Sequence, residues 1–202
     1  MVRHMTSDVN MDSSVHVISI IWAVILISLS SPVQSDVQPC VKKGPCTCET
    51  PSFTVDLTPL STRTQRLLQA KGDGYTYVYS PCIPTGQRCG ADSSVTDIAI
   101  CQETQSIPPS TYVVGTQSTV KFSGSPEDGS LQLEYSAKDA TTSRIGQVSV
   151  ICSDEEASFA LITTEQGKDS TTYKFQLKTK YACNQNASSG LSPGSVLLIM
   201  VL

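Results

Sequence analysis

The stretch "TYKFQLK", residues 172–178, decides the fold. Tyr173, Phe175 and Leu177 alternate with Lys174, Gln176 and Lys178. A period of two puts the apolar side chains on one face of an extended strand and the polar ones on the other. The same alternation runs through "YTYVYS" (75–80), with Tyr75, Tyr77 and Tyr79, and "LQLEYS" (131–136), with Leu131, Leu133 and Tyr135. Further strand candidates are 52–57, 95–101, 111–115, 118–123, 144–152 and 157–164. The turn signals "SPCIPTG", "SIPPS", "GSPEDGS" and "AKDATTS" separate them. Many short strands with this punctuation predict an all-β fold, an antiparallel β-sandwich or flattened β-barrel. Only "TPLSTRTQRLLQAKG" (58–72) could hold a helical turn or two, and no internal repeat is present.

At 202 residues the chain has room for one domain with flanking segments. It carries 14 Lys and Arg against 18 Asp and Glu, with no basic cluster able to track a phosphate backbone. Nucleic acid is therefore not expected as a partner. Residues 15–35, "VHVISIIWAVILISLSSPVQS", combine an apolar run from Val15 to Leu29 with small residues at Val33 and Ser35. This predicts a signal peptide over 1–35, cleaved after Ser35, with an uncleaved signal anchor as the alternative. Cleavage removes His4, His16 and Trp22, so the mature chain has no histidine and no tryptophan. Without imidazole, a Ser-His-Asp or Cys-His nucleophile and a His-ligated metal are both excluded.

All eight cysteines survive processing: Cys40, Cys46, Cys48, Cys82, Cys89, Cys101, Cys152 and Cys183. An even count in a secreted chain reads as four disulfides. "CTC" at 46–48 admits a thiolate metal site, but the oxidising compartment favours disulfides. In "IAICQETQ" (98–105), Cys101 is thus a staple, and whether Gln102 is aimed at something depends on the rest of the frame.

After Cys183 the composition changes. "NQNASSGLSPGS" is linker-like, with an N-glycosylation sequon at Asn186 and a linker assigned to 186–194. "VLLIMVL" at the end falls short of the roughly 20 residues a membrane span needs. Residues 195–202 read as a frayed apolar tail or the start of a truncated transmembrane segment.

The cysteine frame resembles a known family. "YTYVYSPC" (75–82), Cys89 and "ICQ" (100–102) resemble the first half of a mannose 6-phosphate receptor homology domain. "SRIGQVSVIC" (143–152) is similar to that family's arginine-bearing strand, and "TTEQGKDSTTYKFQLKTKYAC" (163–183) to its closing segment. "CTCETPSFTVDLTPL" (46–60) resembles its opening strand, and "LSPGSVLLI" (191–199) the start of the membrane span in the cation-dependent receptor branch. The resemblance implies a lectin domain over 36–185 that binds mannose through a glutamine, an arginine, a glutamate and a tyrosine. Position by position these are Gln102, Arg144, Glu165 and Tyr173. An amide and a guanidinium donate directionally to sugar hydroxyls, a carboxylate accepts from two at once, and a phenol does either. The resemblance also implies the pairs Cys89–Cys101 and Cys152–Cys183, with Cys82 bonded to one of Cys40, Cys46 and Cys48.

The pattern departs from the cation-dependent branch at "SAKDATTS" (136–143). Lys138 and Asp139 are the candidate phosphate loop, but the His, Asn and Cys of that branch are missing. A divalent cation beside Asp139 is weakly indicated, and no other metal or cofactor is expected. What the resemblance implies is a non-enzymatic lectin receptor for mannose-terminated or phosphomannosyl glycoproteins, lysosomal enzymes among them. It would sort them in the secretory-endosomal pathway, in the lumen or at Golgi and endosomal membranes, with homodimerisation an option. The alternative is a glycan-reading module of a glucosidase-type or quality-control complex that ignores phosphate.

Overall fold

The computed structural model describes residues 37–62, 67–92, 94–139 and 142–184. The expected signal peptide (1–35), the sequon at Asn186, the linker (186–194) and the apolar end (195–202) lie outside the described residues. Among the described residues no helix is long and apolar enough to cross a membrane.

Among the described residues twelve strands carry the fold. They are β1 (Val41–Lys42), β2 (Thr47–Glu49), β3 (Thr54–Asp56), β4 (Leu68–Gly72), β5 (Tyr75–Tyr79) and β6 (Ile98–Thr104), then β7 (Thr111–Thr116), β8 (Lys121–Ser123), β9 (Gln132–Lys138), β10 (Ser143–Cys152), β11 (Ser158–Gln166) and β12 (Ser170–Thr179). Among the described residues a single short α-helix, α1 (Thr58–Thr62), follows β3, its first amide donating to Asp56 Oδ1 at 2.9 Å. The expected helical turn is therefore confined to the start of 58–72, and the end of that segment is a strand.

The strands form three sheets: β1-β2-β3, β4-β5-β6-β7, and β11-β12-β10-β9-β8. Every pair is antiparallel except β10 with β12. The fold is all-β and stapled by disulfides, as expected, with one parallel pair in an otherwise antiparallel set. The chain leaves β10, runs out along the edge as β11, and returns as β12 between the two. A central place suits β12 because Thr171, Tyr173, Phe175, Leu177 and Thr179 are all buried, whereas β11 keeps exposed residues on its outer side.

The two larger sheets pack face to face through aromatic rings. Phe175 on β12 lies edge-on to Tyr77 of β5 at 5.2 Å and stacks on Phe159 of β11 at 5.0 Å. Tyr79 of β5 stacks on Phe159 at 4.8 Å and meets Tyr135 of β9 edge-on at 5.8 Å. Each such ring buries a large apolar area, worth roughly 1.5–3 kcal/mol. Two glycines permit the close approach: a Cβ on Gly115 would lie 2.3 Å from Tyr135 Cβ, and one on Gly146 would lie 2.6 Å from Ile100 Cδ1.

Four disulfides close the chain, and among the described residues no cysteine is free. Cys89–Cys101 and Cys152–Cys183 are paired, Cys82 takes Cys46, and Cys40 takes Cys48. Cys89–Cys101 ties the long β5–β6 loop to the outer face of β6, over a small cluster of Val78, Ile98 and Val113. Because side chains alternate along a strand, a buried Cys101 on the outer face sends its neighbour Gln102 to the inner one.

Candidate functional site

Gln102 sits across β6 from Tyr77 on β5 and Tyr112 on β7. From the facing sheet, Tyr173 on β12 is paired with Gly146 on β10, two residues beyond Arg144. The missing side chain of Gly146 lets Ile100 reach over it, and Arg144 ends the same inward row. Gln102, Arg144 and Tyr173 thereby meet at the rim of the aromatic core. They line a cleft of about 540 Å³ with Tyr75, Tyr77 and Tyr112.

The polar groups of the cleft are directional. Arg144 lines the cleft with Tyr173, whose phenol proton goes to Gln102 Oε1 at 3.3 Å. Gln102 Nε2 donates to the Tyr77 oxygen at 3.2 Å. Thr164, which lines the same cleft, donates to Asp73 Oδ2 at 2.7 Å. Burial pushes the Tyr77 phenol above its ordinary pKa, against the pull of Gln102. Burial likewise raises Tyr173, partly offset by the Arg144 charge. For Arg144 burial opposes the charge, but Asp139 and Tyr173 outweigh it and hold the pKa above the usual guanidinium value. The Arg144 guanidinium also lies 5.1 Å over the Tyr112 ring, a cation–π contact that keeps its plane at the cleft wall.

Glu165 does not join these residues. It is paired across β11–β12 with Thr172, on the outer face, and its Oε1 receives Lys174 Nζ at 2.5 Å. The cause is a bulge: Leu161 opposes Phe175 but Thr163 opposes Lys174, so Ile162 is an extra residue. One inserted residue reverses the side-chain parity of the rest of the strand. Gln166 takes the inward position instead, lining the cleft and accepting from Thr171 Oγ1 at 3.1 Å.

Asp139 is turned onto Arg144 as an ion-pair partner, and its Oδ1 accepts the Thr142 amide at 2.8 Å. A carboxylate with both oxygens engaged beside a guanidinium orients that guanidinium rather than repelling or binding a phosphate. Lys138 lines a second, larger cleft of about 980 Å³ beyond the Tyr112–Arg144 wall. Its hydroxyls are largely satisfied within the protein, Thr111 by Gly90 and Thr119 by Thr116 and Ser136. Its walls also include the apolar Val95, Val113 and Ala137, with Asp92, Lys138 and Ser143 as further polar groups in the lining. Among the described residues no three His, Cys, Asp or Glu side chains converge to hold a metal.

Of the residues lining the smaller cleft, sequence reading named Gln102, Arg144 and Tyr173 as site residues; Asp73, Tyr112, Thr164 and Gln166 are among those it missed. The signal for Asp73 was present. "GDGY" (72–75) is an Asp-Gly pair between alternating segments, the strongest short hairpin signature, and Asp73 and Gly74 have φ of 52° and 78° as a two-residue turn of type I′ requires. No protein-family model matches the chain, and a search of curated proteins finds no significant relative.

Proposed function

We infer that the chain is a non-enzymatic lectin of the secretory pathway that binds mannose-type N-glycans. The observation that supports this reading is the convergence of Gln102, Arg144 and Tyr173, from three strands of two sheets, in one tyrosine-rimmed cleft. A hexose needs donors and acceptors fixed in direction, and Arg144, Tyr173, Gln102 and Asp73 supply both. Among the described residues no tryptophan lines the cleft, so recognition relies on hydrogen bonds and the edges of Tyr75 and Tyr112. Among the same residues its single carboxylate is Asp73, whereas glycoside hydrolysis uses two. No turnover of a chromogenic mannoside is expected.

The engagement of Asp139 with Arg144 favours a phosphate-independent ligand. That points to the second reading, a glycan-reading module of a glucosidase-type or quality-control complex, over a receptor for phosphomannosyl cargo. A glycan array carrying plain and phosphorylated mannosides separates the two: retention on plain high-mannose glycans supports the module, and a strict phosphate requirement supports the sorting receptor. Binding to neither removes the lectin reading.

Asp139→Ala is expected to weaken mannoside binding only modestly. The Asp139–Arg144 pair is partly exposed, and such pairs contribute about 1 kcal/mol or less, roughly up to fivefold in Kd. Arg144 keeps its contacts with Tyr173 and Tyr112, so its placement survives in part. Calorimetric titration with methyl α-mannoside checks this. A phosphate-binding role for Asp139 would show instead as a change confined to phosphorylated ligands.

A further inference from the structure

We propose that Asp73, at the tip of the β4–β5 hairpin, is the specificity-determining carboxylate of this cleft, in the place that Glu165 does not occupy. The inference rests on the mannoside reading above.

Three observations carry it. Among the described residues Asp73 is the only carboxylate lining the cleft, and Glu165 is held on the opposite face by Lys174. Thr164 gives its proton to Asp73 Oδ2, which ties the carboxylate to the cleft wall beside the amide of Gln102, itself fixed in direction by donating to Tyr77 and accepting from Tyr173. Finally, Asp73 Oδ1 has no protein partner among the described residues and the side chain is exposed at the cleft rim. A sugar hydroxyl donating to it would share the carboxylate with Thr164.

The type I′ turn makes the test clean, since asparagine tolerates a positive φ as well as aspartate does. The disulfide-bonded chain and its Asp73→Asn, Glu165→Gln and Arg144→Ala variants are titrated with methyl α-mannoside and its four monodeoxy derivatives, with thermal melts alongside. Asp73→Asn is expected to weaken binding about tenfold, the loss of one charge-assisted hydrogen bond, and Glu165→Gln to stay within about twofold. At least one monodeoxy sugar, penalised by the parent and by Glu165→Gln, should lose its penalty in Asp73→Asn. A merely structural Asp73 would weaken all sugars equally and leave the deoxy pattern intact, which overturns the proposal. So does a Glu165→Gln variant that loses as much as Asp73→Asn. In either case, loss of binding in Arg144→Ala leaves the mannoside reading standing. If Arg144→Ala binds like the parent, or the parent binds no mannoside, that reading fails and Asp73 falls with it.

Discussion

Replacing Arg144 with alanine is expected to weaken mannoside binding by roughly 100-fold or more while the fold stays intact. Among the described residues Arg144 is the one cation lining the cleft, and its side chain is mostly buried beside Tyr112 and Tyr173. A charge-assisted hydrogen bond to a ligand is worth about 1.5–3 kcal/mol, and about 1.4 kcal/mol is tenfold in Kd. Alanine removes that bond and the side chain that packs beside Tyr173, the donor to Gln102. A millimolar site would then pass beyond measurable range, and a micromolar one would move to about 100 μM. Arg144→Lys should fare nearly as badly. An ammonium is a point charge and cannot serve Asp139, Tyr173 and a hydroxyl in one plane. The fold should survive because Asp139, left behind, is half exposed and solvated. Immobilised high-mannose glycoprotein, with parallel thermal melts, checks both halves. Parent-like binding by Arg144→Ala would falsify the assignment of this cleft.

Strand alternation made the sandwich legible. The inner row of β12 could be read from Tyr173, Phe175 and Leu177 because burial on one face leaves a period of two in the sequence. What alternation does not encode is a strand's neighbour, so the parallel pairing of β10 with β12 was invisible. β4 was hidden for another reason: in "LQAKG" only Ala70 is buried, and that single small residue carries no pattern. β1 and β2 are two and three residues long, held by the Cys40–Cys48 disulfide, and leave no period to detect.

The candidate site residues came from the family resemblance, and strand parity accounts for where the structure puts three of them: Cys101 faces outward, so Gln102 faces inward, and Arg144 and Tyr173 lie in inward rows. Glu165 is the instructive exception. In a regular β11–β12 ladder it would oppose Thr171 on the inner face. The extra residue at Ile162 moves it opposite Thr172 and turns it outward. A bulge is a backbone event stabilised by tertiary packing, and nothing in "LITTEQ" announces it. Asp73 is the reverse case, a residue brought to the cleft by a turn whose Asp-Gly signature was readable.

Stability should fall steeply above about pH 10, because the core encloses phenols that cannot ionise in place. Tyr79 and Tyr135 are fully buried, their hydroxyls 3.0 Å apart, with Tyr135 donating to the Pro81 carbonyl at 3.2 Å. Burial holds both far above the ordinary phenol range, with Tyr135 raising Tyr79 further. Tyr77 and Tyr173 are raised by burial as well. A raised pKa in the folded state means that the unfolded chain loses these protons first, near pH ~10. The stability these neutral phenols carry is therefore complete below about pH 10 and is lost as pH climbs toward the folded values. Each wholly buried phenol contributes a slope of about 1.4 kcal/mol per pH unit, so Tyr79 and Tyr135 together give about 3 kcal/mol per unit. Against a typical stability of about 5–15 kcal/mol, that unfolds the chain within a few pH units. The phenolate absorbance owed to the buried rings, over and above that of the more accessible Tyr75, Tyr112 and Tyr181, should rise together with loss of the sheet signal, in one cooperative step, when both are followed within minutes of transfer to alkali. Tyr79→Phe isolates the cause. Tyr135 keeps its Pro81 acceptor, so the variant folds at neutral pH at a cost of about 1 kcal/mol. Its stability, measured by urea titration at successive pH values, should then fall less steeply by about 1.4 kcal/mol per pH unit. An unchanged slope, or phenolate absorbance that Tyr79→Phe removes appearing in a chain that stays folded, would show that these hydroxyls reach water without opening the sandwich.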